Sequence, residues 1–267
     1  MMHWTELTSP ELGECVDKSC VAVMVLGAIE QHGPHLPLAT DLLIGEGLRD
    51  ATLECLARRR SKVRQSLLLL PSLSIGASQE HSALPGTVSL SPELMAQVLE
   101  AVGRSLAAAG GQRLVLLNAH GGNHAAIDNA ALALRRTLGL LVVKANYMKL
   151  PPPEDILNAR ELREGLHGGQ AETSMMLHLA PELVRQEALA DFPMRDGAGD
   201  KANLFGPAGR ASWAWMAQDL NPQGVVGRAD RATADAGERL VAHYGERLAD
   251  VIEEVAAMPW PINPSSA

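Results

Sequence analysis

The sequence predicts an α/β fold, a three-layer α/β/α sandwich around a largely parallel, mixed central sheet, and two observations predict it. Four short apolar runs, at residues 21–26, 67–73, 114–117 and 140–145, are nearly continuous instead of alternating, as strands covered on both faces require. Helix-like stretches separate them, so the order reads β, α, β, α, β, α, β, the rhythm of parallel strands joined by crossover helices.

In chain order, the first strand is VAVMVL at 21–26, followed by a helix over 42–59. The run at 67–73 is the second strand. A helix over 92–109 follows, with Ser91 as its N-cap and Pro92 at its first helical position, where the missing N–H costs nothing. The third strand (114–117), a helix over 124–138 and the fourth strand (140–145) complete the alternation. Pro151, Pro152 and Pro153 then stop regular structure, and a helix resumes near 171–179. Residues 186–229, rich in Gly, Pro and Asp, read as long loops. A last helix over 231–256 carries Leu240, Val241, Tyr244, Leu248, Val251 and Ile252 at helical spacing. The tail from 259 reads as irregular. No repeat or linker interrupts the chain, so 1–267 is expected to be one domain.

Composition narrows the function. The net charge of −8 is spread without a basic cluster denser than Arg58, Arg59 and Arg60, which argues against nucleic acid as a partner. No apolar run approaches the ~18 residues of a membrane span, and residues 1–20 contain no apolar signal core. The expectation is a soluble, cytoplasmic protein with no membrane partner. Cys15, Cys20 and Cys55 are odd in number and unpaired in spacing, so any metal must be held by His and carboxylate.

Three segments concentrate such donors. GAIEQHGPHLPLATD, at 27–41, follows the first strand and holds Glu30, His32, His35 and Asp41. In extended backbone the two-residue spacing sends Glu30 and His32 to one face, as a chelating pair requires, and Asp41 returns from a loop. NAHGGN, at 118–123, puts His120 beyond the carboxyl end of a strand, where open parallel sheets collect ligands. Its Asn118, Gly121, Gly122 and Asn123 are candidates for substrate contact. HGGQAETS, at 167–174, brings His167 and Glu172, although a Glu in a first helical turn also satisfies the helix dipole. Together these supply N and O donors suited to Zn(II), Mn(II) or Fe(II). A fourth segment, GASQEHSALPGTVSL at 76–90, offers Ser78, Glu80 and His81 as the rim of a pocket, or equally a plain polar loop turning at Pro85 and Gly86. Trp213 and Trp215 read as packing that could also line a pocket. No G-x-S-x-G elbow or phosphate loop is present.

The ordered set EQHGPHLP…D, GxSxEH…PGT, NxHGGN and HGG…ETS resembles the creatininase (creatinine amidohydrolase) family, and NPQGVVGRADRATADAGE, at 221–238, is similar to its C-terminal segment. The resemblance implies a three-layer α/β/α fold, a homo-oligomer, frequently a hexamer, and two divalent metal ions per chain. Glu30, Asp41 and His120 would hold one ion and His32 with Asp41 the other, Asp41 bridging. The creatinine-hydrolysing branch has a ligand Glu where this chain has Gly122, and Glu172 is assigned the missing carboxylate. That branch also has tryptophan-rich sequence before the HGG motif, where this chain reads ARELREGLHGG, which points away from creatinine.

The expected reaction is hydrolysis of a C–N bond, an amide, formamide or cyclic amide, of a small molecule by metal-activated water. His167 is the expected general acid, with His35 or Glu80 behind it. Alternatives are a peptidase of a cofactor-precursor peptide, a keto-inositol carbon–carbon hydrolase with the same centre, and a non-catalytic metal-binding protein on the same fold.

Overall fold

A computed structural model describes residues 1–196 and 204–261. In chain order the elements are β1 (Met2–His3), α1 (Ser9–Cys15), β2 (Val21–Leu26), α2 (Thr40–Arg58), β3 (Leu67–Leu69), α3 (Pro92–Ala108), β4 (Arg113–Asn118), α4 (His124–Leu138), β5 (Leu141–Asn146), α5 (Ala159–Glu164), α6 (Gln170–Leu179), β6 (Asp191–Phe192), α7 (Ala217–Leu220), β7 (Gly227–Arg228) and α8 (Ala234–Ala257).

Five strands form one sheet in the order β1-β3-β2-β4-β5, and all four pairings are parallel. The expected three-layer architecture is present. The antiparallel element of a mixed sheet is found instead in a separate pair, β6 with β7. Alternation along the central strands separates the two cores. Val21 and Val23 of β2, with Val115 and Leu117 of β4, face a cluster built on α2, α6 and α8. Ala22, Met24, Leu26, Leu114 and Leu116 face a second cluster built on α3 and α4. Because both faces are covered, every residue of β2 and β4 is buried, and the sequence shows runs where a one-sided sheet would show alternation.

After β2 the chain crosses to α2 on one face, and after β4 it crosses to α4 on the other. Their carboxyl ends, paired at Leu26 and Asn118, therefore diverge into a crevice, the usual ligand position in an open parallel sheet.

Three expectations are corrected. The strand expected over 67–73 ends at Leu69, because Pro71 cannot donate to the ladder; the backbone rejoins the sheet only as a single bridge from Leu73 to Leu26. The loops expected over 186–229 contain α7 and the β6–β7 pair, and residues 197–203 of that span lie outside the described residues, as do 262–267 of the tail. Asp41 does not return from a loop: it sits in the first turn of α2.

Helix α8 packs on α6 with no room for a side chain at Gly237, where a Cβ would lie 1.8 Å from the Ser174 carbonyl oxygen. Backbone cannot yield as a side-chain end can. Gly237→Ala is therefore expected to destabilise the fold by about 3 kcal/mol, the upper end for overpacking, measured by urea denaturation. No described helix is long and apolar enough to cross a membrane.

Candidate metal centre

At the floor of the crevice, four elements deliver titratable side chains to one buried point. Glu30 and His32 come from the extended segment after β2, Asp41 from the first turn of α2, His120 from the end of β4, and His167 from the loop before α6. Glu30, Asp41, His32 and His120 are all less than 5% exposed. Asp41 lies between two imidazoles, Oδ1 at 3.3 Å from His32 Nε2 and Oδ2 at 3.1 Å from His120 Nδ1. Glu30 has His120 Nε2 at 3.2 Å from Oε2, and His167 Nδ1 at 3.6 Å and His32 Nε2 at 4.0 Å from Oε1.

One nitrogen of each of these three imidazoles is anchored on a backbone carbonyl, which can only accept; in His120 it is Nε2, the nitrogen that also stands beside Glu30 Oε2. His32 Nδ1–H donates to Glu30 O (3.1 Å), His120 Nε2–H to Ala77 O (3.1 Å) and His167 Nε2–H to Gln31 O (2.8 Å). In the neutral form each therefore turns its other nitrogen, as a lone pair, toward a carboxylate: His32 Nε2 and His120 Nδ1 toward Asp41 and His167 Nδ1 toward Glu30, the arrangement typical of metal-ligating histidines. Both oxygens of Glu30, His32 Nε2 and Asp41 Oδ2 are buried without a hydrogen-bond partner. Acceptors facing acceptors in a buried site are costly unless a cation lies between them. Two triads bring donor atoms within 4.8 Å of one another, Glu30/Asp41/His120 and Glu30/His32/His167. These residues fit divalent metal with nitrogen and oxygen preference; no cysteine belongs to either triad.

Without an ion, the site's electrostatics are strained. Burial pulls the His32 and His120 pKa values down, but the carboxylates around them win and raise them to about 9 and about 10. Burial also raises the Glu30 carboxyl, while Asp41, despite burial, is held low by His32 and His120.

Glu172 occupies the first turn of α6 with Oε2 accepting the Gly168 N–H (2.7 Å), 3.9 Å from His32 Nε2. It stands beside the cluster, outside the two tight triads. His167, expected as a general acid, also belongs to the second triad, with its Nε2–H donated to Gln31 O. A cavity of about 380 Å³ opens above. It is lined by Asp41, His120, His167 and Glu172, by Glu80, His81, Gly121 and Gly122, and by Met148, Leu166, Trp213 and Trp215, the last edge-on to His81.

Several expected site residues support this site from behind, and none of the following lines the cavity. His35 donates through Nε2 to the Gly168 carbonyl, contacts Thr173 Oγ1 and stacks on Phe192, bracing the HGG turn. Ser78 Oγ lies 3.2 Å from His120 Nε2. Asn118 donates to His120 O, and Asn123 ties Asn118, Gly27 and the Ala77 N–H together. These are the cross-links that fix the loops after β2, β3 and β4. Sequence reasoning passed over Gln31, whose only signal is its place between Glu30 and His32.

Gly122 has a steric reason. A Cβ there would lie 2.2 Å from Ala77 O, 2.4 Å from Glu80 Oε1 and 2.5 Å from His120 Nε2. The room that a side chain at 122 needs is taken first by the Ala77 carbonyl and then by the Glu80 and His120 side chains. Gly122→Ala is expected to displace His120 and lower metal affinity by roughly 10- to 100-fold, as loss of a ligand's support does, measured by competition with a chromogenic chelator.

The sequence matches the creatininase family, described as creatinine amidohydrolase, over residues 5–252. It is 34% identical to the mycofactocin precursor peptide peptidase of Mycobacterium tuberculosis, over 96% of this chain and 93% of that one. It is 30% identical to the creatinine amidohydrolase of Pseudomonas putida, over 88% of this chain and 89% of the other. A solved manganese form of creatininase superposes with a TM-score of 0.71 at 29% identity, covering 94% of this chain and 97% of that one. A creatininase structure of Zn-Zn type gives 0.70 at 28%, with the same coverage.

Proposed function

Since the chain belongs to the creatininase family and is a metal-dependent hydrolase, we propose that it cleaves a C–N amide bond, and that its substrate is a short peptide or similar linear amide. The observation that carries this reading is the pair of donor triads sharing Glu30, of which Asp41, His120 and His167 line an open cavity, which argues against a purely structural, closed metal site.

Glu30, Asp41 and His120 would hold one ion, and His32, with Glu30 and His167, the other; Asp41 Oδ1 and Glu172 stand next to His32 to complete its surroundings. Divalent metal bound there supplies Lewis acidity, lowering the pKa of a water toward neutrality and polarising the amide carbonyl. Glu172, its Oε2 fixed by the Gly168 N–H at the cavity, is the acceptor we assign for the proton released on attack. The departing nitrogen then recovers that proton. The indoles of Trp213 and Trp215 add apolar surface to the cavity wall.

A linear amide is favoured over creatinine on two grounds. The peptide peptidase relative matches at 34% over nearly the whole chain, and position 166, beside the cavity, is Leu in a segment without tryptophan. We assign the protein to the cytoplasm as one domain and a homo-oligomer, with sedimentation velocity as the check on assembly. The activity test uses protein loaded with Zn(II) or Mn(II) and offered short peptides, formamides and creatinine. Peptide cleavage faster than creatinine opening is expected. Metal-loaded protein that turns over no amide would overturn the reading.

A further inference from the structure

We infer that Gln31 is a positioning residue that decides which nitrogen His81 and His167 each present to the site, so that His81 offers an N–H to the substrate's amide carbonyl while His167 offers a lone pair to a cation. The identity of the carbonyl rests on the amide-hydrolase reading; the proton positions do not.

Gln31 is 5% exposed, and its side-chain amide has one possible orientation. Oε1 accepts the Gly33 N–H (3.0 Å), which places the NH₂ on the other side. One of its protons goes to the Gly224 carbonyl (2.7 Å), which can only accept. The second goes to His81 Nδ1, also at 2.7 Å. Gly224 permits this approach: it has φ +75°, and a Cβ there would lie 2.5 Å from Gln31 Oε1.

A neutral imidazole that accepts at Nδ1 carries its proton on Nε2. That N–H makes no hydrogen bond among the described residues. It lies 3.6 Å from Glu30 Oε1, too far for one, and His81 lines the cavity. A preorganised donor with no partner, held beside the metal-binding carboxylate, suits the carbonyl oxygen on which charge develops. The main-chain carbonyl of the same Gln31 accepts the His167 Nε2–H, leaving Nδ1 as a lone pair 3.6 Å from the same Glu30 oxygen. The two rings, 4.3 Å apart, thus share a tautomer yet present opposite nitrogens, and one residue anchors both. His81 touches substrate in this account, and Gln31 acts through it.

The test is ¹⁵N NMR of histidine-labelled, zinc-loaded protein, with His81 and His167 assigned by substitution. Wild type is expected to show His81 protonated at Nε2 and bare at Nδ1, and its Nε2–H signal is expected to move when N-acetylglycinamide is added. A proton on His81 Nδ1 overturns the inference; an Nε2–H unmoved by a saturating amide overturns the donor role. Because both readouts precede turnover, failure of the amide-hydrolase reading in assays remains distinguishable. In Gln31→Glu the carboxylate accepts instead of donating, so the His81 proton is expected to move to Nδ1. There kcat should fall about 10- to 100-fold while KM and zinc stoichiometry hold. Unchanged kcat with the proton moved would also overturn it.

Discussion

Asp41→Asn is expected to lower kcat/KM by on the order of a thousandfold and to reduce bound divalent metal from two ions per chain to one or fewer. The Asp41 carboxylate stands within 3.3 Å of both His32 and His120, one through each oxygen, so removing its charge weakens both halves of the cluster. Lewis-acid stabilisation by metal is worth several kcal/mol, and each 1.36 kcal/mol is tenfold in rate, which gives the magnitude. The amide is nearly the same size as the acid, so packing at the start of α2 is preserved and the fold should survive. Inductively coupled plasma mass spectrometry with steady-state kinetics checks both parts. Full metal content with near-normal rate would remove Asp41 from the centre.

The second large effect is an inverted pH dependence of stability on removing metal. In metal-free protein, His32 and His120 are raised to about 9 and about 10, against an ordinary value near 6.5. A group whose folded pKa is raised contributes stability that is complete below its unfolded value and is lost as pH rises through the folded one. Metal-free protein should therefore weaken between pH ~6.5 and ~10. Glu30, raised by burial, acts with the same sign. Asp41, held low, acts oppositely, but its contribution is lost only in acid, below its ordinary range near pH 4. Metal binding requires bare imidazole nitrogens and releases protons, so affinity should climb over the same window. At a free metal concentration about 100 times Kd the stabilisation is about 2.7 kcal/mol, or roughly 5–10 °C in Tm for a chain of this size. Thermal unfolding of chelated and zinc-loaded protein from pH 6 to 9.5 should give curves that diverge with rising pH. Parallel curves would contradict it.

The fold was largely legible because burial on both faces writes itself into sequence. The runs of β2 and β4 are continuous for that reason, and α4 ends where Gly139 supplies φ +70°. Two-residue strands leave no such trace: β1, an edge strand, and the β6–β7 pair exist only through their partners. In the site, Glu30, His32, Asp41 and His120 were legible because they crowd into two short segments that follow strands, Asp41 at the first turn of α2. Their directions were not. That His167 turns a lone pair to Glu30 depends on the carbonyl of Gln31, 136 residues away in sequence, and that His35 faces Phe192 depends on the β6–β7 pair. Asn118 and Asn123 were expected at the substrate, whereas their hydrogen bonds run to each other and to backbone groups of the loops after β2, β3 and β4. The tryptophan wall was obscured in the same way, since Trp213 and Trp215 reach the cavity from far beyond the motifs that mark the donor cluster.

The central claim is that distant loops close on a pair of divalent ions. Anomalous diffraction from crystals grown with zinc, recorded on both sides of its absorption edge, tests it most directly. The account predicts two peaks per chain, one among Glu30, Asp41 and His120 and one beside His32. Zinc bound elsewhere, with both of these positions blank, would contradict it.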